Sequence, residues 1–430
     1  MLSGGSCSDY NMYTVGFKSI NSSHKLRITV VLHLESTTDE SDWRISLGEM
    51  SVPDCVASDP ILSSCLENLS SGGRVSADIG MDLMNHDSLS ALCSLADMIK
   101  KSRYDNHVFF NQNLHVNTTN ICVLACRFCA FRKGSRHPDA YALSPRNFVD
   151  RIEPYSSTID EVHSVGGLHP DWTVDNYVEL YSIIKETYPD IHLKSLTAIE
   201  IIHISGRSGM SIKETLIKLK DAGLGSIPGG GAEILVDSVR DKICRGKESS
   251  AEYLEVHSIA HNLEIPTNCT MLFGTVETLE DRVAHLVKLR EQQDDSAGFQ
   301  CFVPYPFLPD RSRLPEAQLA SSSEVVRMIA VSRIMLDNIP HIKAYRMNFG
   351  DHLASLCLTA GADDIDGTVG HEEIMHEAGS RTRVDTDSEA LARIIALTGS
   401  IAIKRNSTYS KFSVFDTEID KSKLLPVLIN

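Results

Sequence analysis

One short stretch restricts this chain more than any other. Residues 117–131 read Asn117-Thr118-Thr119-Asn120-Ile121-Cys122-Val123-Leu124-Ala125-Cys126-Arg127-Phe128-Cys129-Ala130-Phe131, with three cysteines in C-x3-C-x2-C spacing. Each supplies a thiolate, the usual ligand of iron–sulfur clusters. Three ligands on a four-iron cluster leave one iron open to a small chelating molecule, and a free coordination position is what makes a metal catalytic. Other chemistries compete for parts of the pattern. Cys126 and Cys129 alone form a C-x2-C, half of a zinc site or a redox pair. A zinc site needs a second ligand pair at matching spacing. The chain has no other C-x2-C and no H-x3-H nearby. A redox pair leaves Cys122 unexplained.

Composition narrows the classes. A length of 430 residues accommodates a large domain with an appendage, or two domains. The formal charge of −16 argues against an extended nucleic-acid surface, which needs a basic face. It leaves room for a small anionic substrate held by a few local cations. No apolar run reaches the roughly 18 residues of a membrane span. Eleven cysteines without a disulfide-like spacing fit a reducing, cytoplasmic compartment.

In chain order, residues 1–60 are rich in Ser, Asp and Gly and read as a loosely ordered extension. Residues 61–110 turn helical: Leu89, Leu92, Leu95, Ala96 and Ile99 recur at helical spacing. From residue 111 to 385 strand-like and helix-like segments alternate. Expected strands lie at 114–117, 161–165, 192–200, 225–228, 268–273, 298–303, 342–347 and 361–365. Ser144-Pro145, Ser211-x-x-Glu214, Thr278-x-x-Asp281 and Ser321-x-x-Glu324 open helices between them. Eight such alternations predict an α/β fold, a (β/α)8 TIM-type barrel with a helical lead-in. Residues 386–430 are expected to form a C-terminal cap and tail. In such barrels chemistry sits where strands end. The unusual residues fall there: the cysteines, then Gly166-Gly167, then Glu200, then Gly229-Gly230-Gly231.

Each of these has a plainer alternative. Gly166-Gly167 lets the backbone approach a ligand closely, or makes a tight turn. Glu200 accepts hydrogen bonds at a barrel mouth, or is a solvated charge. The triple glycine is neither a G-x-G-x-x-G fingerprint nor a P-loop. It opens space for a bulky ligand, or is a flexible loop. His257 and His261 share a helical face without a third ligand. Asp363-Asp364-Ile365-Asp366-Gly367 lacks the calcium-loop layout. Arg346 is a candidate fork for a substrate carboxylate, or a surface ion pair.

The cysteine spacing, with Phe128 just before the last cysteine, resembles the signature of the radical S-adenosylmethionine (SAM) superfamily. More narrowly, the chain resembles the aminofutalosine (aminodeoxyfutalosine) synthase family of the futalosine route to menaquinone. The likeness runs from about Leu66 to Phe412. It rests on residues 113–131, 165–171, 197–200, 227–234, 268–271, 336–345 and 362–369. It implies a [4Fe-4S] cluster on Cys122, Cys126 and Cys129, with SAM as co-substrate. Gly166, Gly167, Glu200, Gly229, Gly230 and Asn268 are then the expected SAM contacts, and His169 and Arg346 the candidate catalytic or carboxylate-binding cations. The implied reaction adds a 5′-deoxyadenosyl radical to the vinyl ether of 3-[(1-carboxyvinyl)oxy]benzoate. Rearrangement across the ring and loss of a carboxylate give aminodeoxyfutalosine. The partners implied are a small aromatic carboxylate and an electron donor such as flavodoxin or ferredoxin. The dehypoxanthine futalosine cyclase and the deazaflavin (FO) synthase group resemble the same barrel, and a non-catalytic zinc-binding barrel is the remote alternative. Leu168-His169-Pro170 and Asp364-Ile365-Asp366-Gly367 look like the synthase.

Overall fold

The computed structural model describes residues 42–415. Nine strands form its sheet: β1 His107–His115, β2 Glu161–Ser164, β3 His192–Ser195, β4 Thr267–Phe273, β5 Phe299–Pro306, β6 His341–Ala344, β7 Asp364–Val369, β8 Ile401–Arg405 and β9 Phe412–Val414. Seven run in the order β3-β2-β1-β7-β6-β5-β4, and every pairing among them is parallel. The expected strand at 225–228 survives only as two single bridges, Ser226 to Lys194 and Ile227 to Thr267. Those bridges join β3 to β4 and close the ring at eight positions. The fold is therefore the expected (β/α)8 type.

Local sequence explains the helices. Capping boxes at Thr173, Thr197, Ser211, Ser249, Thr278 and Ser321 satisfy amides at the first turns. Within the barrel the helix Ala198–Ser208 was not expected, since the sequence suggested β3 continuing to Glu200. Arg346 likewise opens the helix Arg346–Leu358 instead of ending a strand.

The lead-in begins earlier than residue 61. Helices Asp42–Glu49, Asp54–Ala57 and Pro60–Ser70 occupy part of the stretch expected to be loosely ordered. Leu47 and Val56 are fully buried, which offsets the ordering entropy. Trp43 lies between the guanidinium groups of Arg44 and Arg103, at 4.6 and 4.0 Å. Residues 1–41 of that expectation, and 416–430 of the cap and tail, lie outside the described residues. No helix among those described is long and apolar enough to cross a membrane.

The ring has two unlike faces. Val108, Phe110 and Leu114 of β1, with Val116 just beyond it, face the helices and join the main core. Residues of the other parity face inward: Asn111, Asn113 and His115 on β1, Glu161 and His163 on β2, His192 and Lys194 on β3. The lumen is thus polar. Its floor is closed by the C-terminal strap. β8 pairs the first half of β1 in parallel, and β9 pairs β8 antiparallel. Arg405 donates to both oxygens of Asp364 at 2.5 and 3.1 Å, Tyr409 donates to the same carboxylate at 2.9 Å, and the Tyr409 ring stacks on His341 at 3.9 Å.

Candidate active site at the C-terminal mouth of the barrel

The cysteine loop leaves β1 and is fixed by its backbone. The amide of Val123 donates to the carbonyl of Leu168 (3.1 Å), that of Cys122 to Lys133 (3.2 Å), and that of Arg127 to Ile243 (2.8 Å). The Arg313 guanidinium donates to the carbonyls of Ala125 and Cys126 at 2.9 and 3.1 Å. Cys122, Cys126 and Cys129 are free and half-exposed. Burial pushes the Cys126 thiol up to about 12, against the pull of the nearby Lys247 ammonium. Among the described residues no three His, Cys, Asp or Glu side chains converge to hold a single metal ion. A single zinc draws its sulfurs within about 4.6 Å of one another, twice the bond length of about 2.3 Å. A multi-iron cluster takes each thiol on a different iron. Three free thiols on one anchored loop are a fitting donor set for the latter.

Gly166 and Gly167 follow β2 and lie against this loop. A Cβ on Gly167 would sit 2.3 Å from the Ile121 oxygen and 3.0 Å from the Cys122 Cβ; one on Gly166 would sit 2.4 Å from Thr118 Oγ1. The missing side chains are what let the cysteine loop seat. Both amides are engaged, Gly167 to the Thr119 carbonyl (2.7 Å) and Gly166 to Glu200 Oε1 (2.8 Å).

Glu200 belongs to the first turn of Ala198–Ser208 rather than to a strand end. Its second oxygen accepts from the Thr197 amide and hydroxyl at 2.8 and 2.7 Å. It is buried, and burial pushes its carboxyl up to about 7 against those hydrogen bonds. Gly230 packs over Thr197, while Gly229 has φ +79° and its Cβ would lie 2.0 Å from the Asn268 oxygen. The six residues expected to bind SAM therefore form two groups, Gly166–Gly167–Glu200 and Gly229–Gly230–Asn268, joined through Thr197.

The two expected cations stand differently. Arg346 is fully buried and donates to Asp351 Oδ1 (2.8 Å), the Arg383 carbonyl (2.8 Å) and Thr386 Oγ1 (2.7 Å). It ties a helix to the cap and is not free for a substrate. His169 accepts the Asp171 amide at Nδ1 (3.2 Å) and stacks on Trp172 at 4.9 Å. Burial lowers its pKa, so it is not a standing cation at neutral pH.

The cations are elsewhere. Lys247 lies 2.5 Å from Glu233 and 5.9 Å from the Phe128 ring, beside Gly231. In the lumen Lys194 meets Glu161 at 2.7 Å and Lys343 meets Asp364 at 2.6 Å. Burial opposes the Glu161 charge, yet Lys194 holds that carboxyl well below the usual range. His115 pairs with Glu372 and stacks on His163 at 4.3 Å. Burial works against the His115 charge and Glu372 overrides it, raising the pKa; His163 is pushed well down by burial and by His115. A signal for this set was present in the sequence: polar residues at alternate positions of strands buried on both faces. Nothing local marks Lys247.

Known proteins resemble this arrangement at two levels. The model of the radical SAM superfamily matches residues 116–289, and that of the CofH/MqnC C-terminal region matches residues 296–417. Aminodeoxyfutalosine synthase of Thermus thermophilus is 38% identical over 363 residues, covering 83% of this chain and 98% of that protein. Cyclic dehypoxanthine futalosine synthase of Streptomyces coelicolor is 33% identical over 362 residues, covering 83% and 90%. In fold alone, the crystal structure of methylornithine synthase aligns with a TM-score of 0.62 at 18% identity, over 77% of this chain and 94% of that one.

Proposed function

Because the chain belongs to the radical SAM superfamily, in the branch that holds aminodeoxyfutalosine synthase and cyclic dehypoxanthine futalosine synthase, we propose that it is an aminodeoxyfutalosine synthase. The reaction is transfer of the 5′-deoxyadenosyl group of SAM to 3-[(1-carboxyvinyl)oxy]benzoate. The observation that carries this reading is the likeness to the Thermus synthase, which extends over 98% of that protein. The geometry supports it: a thiol loop stands over a polar, cation-bearing lumen, which suits a small aromatic dicarboxylate.

Cys122, Cys126 and Cys129 would hold a [4Fe-4S] cluster, which supplies the electron that cleaves SAM to methionine and the 5′-deoxyadenosyl radical. The chain's own contribution is positioning and exclusion. Hydrogen bonds from Arg313 and to Leu168 and Lys133 fix the loop before any ligand binds, so little is lost to reorganisation. Buried Ala130, Phe131 and Leu168 keep water from the inner side of the loop. Lys247 places a positive charge beside Cys126, which favours thiolate there. Glu200 holds Gly166 and Thr197 together and so sets the spacing between the two glycine segments. SAM is consumed, and the lumen must hold the vinyl carbon within near-attack distance while refusing hydrogen donors.

The electron donor fits an acidic flavodoxin or ferredoxin. Exposed Lys242, Arg245 and Arg313 surround the loop on a chain whose formal charge is −16. The unpaired thiols among the described residues suit a reducing compartment such as the cytoplasm. Anaerobic incubation of the reconstituted protein with SAM, reductant and the carboxyvinyloxybenzoate should give an adduct that retains adenosine. Deoxyadenosine without adduct would overturn the assignment, and turnover of dehypoxanthine futalosine instead would transfer it to the cyclase. Replacing Cys126 by Ala should abolish cluster content and all SAM cleavage.

A further inference from the structure

The lumen is closed from above. Asn113, His115, Glu161, Lys194 and Thr368 are each less than a tenth exposed, so whatever reaches them has to displace part of the cover. One connection at the mouth is held differently from the rest of the wall. It follows β7 and runs from Gly370 to Gly379, with the helix Glu373–Glu377 inside it. That helix buries none of its residues. Of residues 371–378 only Glu372 is buried, and Ile374 and Met375 stay part-exposed. Little apolar burial holds the segment down, which is the mark of a part that opens before the whole fold does.

Carboxylates hold it instead. Glu372 reaches down to His115 of β1. Glu373 accepts from the Tyr141 hydroxyl and, at 3.1 Å, from Arg151. Glu377 meets Arg311 at 2.6 Å and Lys133 at 3.4 Å. Lys133, Tyr141 and Arg151 lie between β1 and β2, and Arg311 follows β5. Asn348, which donates to Met375 Sδ at 3.4 Å, follows β6. The segment therefore reaches across the ends of four neighbouring strands, β1, β7, β6 and β5. Both of its flanks are firm. β7 pairs with β1 and β6 on one side. On the other, the Ser380 hydroxyl donates to the Met347 carbonyl at 2.6 Å and the Thr382 hydroxyl to that of Arg346 at 3.1 Å. Gly370 and Gly379 bound the loosely held part, at φ +72° and +112°, where glycine turns without the clash a Cβ brings.

Part-exposed ion pairs are worth little each, because water replaces the lost partner. We infer that Gly370–Gly379 is a lid: Glu373 and Glu377 latch it to the rim, it opens while the barrel stays folded, and its closing brings Glu372 onto His115. Opening admits the substrate to the lumen, and closing shuts water out of it. This deepens the synthase reading by naming the way in, but the opening does not depend on which substrate enters.

Carbethoxylation of the reconstituted, anaerobic enzyme by diethylpyrocarbonate, mapped by mass spectrometry, tests it. His115 lies under the lid, whereas His257 and His285 are buried among the outer helices. In the wild type His115 should be labelled faster than either. Glu373→Gln combined with Glu377→Gln should speed its labelling about tenfold, as expected when several part-exposed pairs are lost together. His257, His285 and amide exchange in β7 should not change. Arg311→Gln removes one exposed latch partner and should speed His115 about threefold by itself. Its side chain is two-thirds exposed, so this variant keeps the test open if the double variant folds poorly. His115 labelled at the wild-type rate in these variants, or only in step with His257 and His285, would overturn the lid. If the carboxyvinyloxybenzoate gives no adduct while His115 responds as expected, the reaction assignment fails and the lid stands.

Discussion

At Gly167 there is no room for a methyl group: backbone of the cysteine loop occupies the place at 2.3 Å. Gly167→Ala should therefore shift the loop, cost about 1–3 kcal/mol of stability, and lower iron and sulfide per chain after reconstitution, as metal analysis and a melting curve would show. Glu200 offers a pH test. Its carboxyl is raised in the folded protein to about 7, above the ordinary value of about 4.3. Its contribution to stability is then fully present below the ordinary value and is lost as pH rises through 7. The melting temperature should fall between pH 5 and 8, and Glu200→Gln should flatten that slope. The residues of the thiol loop were the easiest to single out, because spacing alone suggests their chemistry. Arg346 and His169 were not, because an arginine or histidine at a strand end reads the same whether free or engaged. Only the structure shows Arg346 tied to Thr386 and the Arg383 carbonyl.

Among elements, the capped helices were the most legible, since each box is a local pattern with a local cause. Ser211, Thr278 and Ser321 open helices as the sequence indicates. The helix Ala198–Ser208 was missed although Thr197-x-x-Glu200 is the same box; its run of isoleucines reads equally as strand. The 225–228 strand shrank to two bridges, a difference in pairing that period and propensity do not encode. The strap carries its own prediction. Arg405 is buried against Asp364, so Arg405→Met leaves Asp364 with Lys343 as its one cation, beside the Tyr409 hydroxyl, and uncovers the Tyr409 face. A loss of about 3 kcal/mol, read from urea unfolding, is expected for one member of such a buried pair.

Over the whole molecule, alternation of strand and helix was enough to indicate the barrel. Polar residues at alternate strand positions do not say which carboxylate faces which lysine, because those partners come from distant parts of the chain. Net charge matters at this scale too. A basic rim on an acidic protein should steer an acidic electron carrier, so cluster reduction by such a carrier should slow several-fold with rising salt. Lys242→Glu with Arg245→Glu should slow it at low salt also, while reduction by dithionite stays unchanged in stopped-flow traces.

The pairing of β8 with the first half of β1 has a consequence for how the protein is made. Of the described strands a ribosome delivers β1 first, yet β8, which flanks its lower half, comes only after β2 to β7 have emerged. Until Val414 has left the exit tunnel, the barrel stands open underneath, with Asp364 and Lys343 wet from below. The nascent chain cannot lock its floor domain-first, as many proteins do. A pause or truncation anywhere before residue 401 leaves a bottomless ring that chaperones would have to shield.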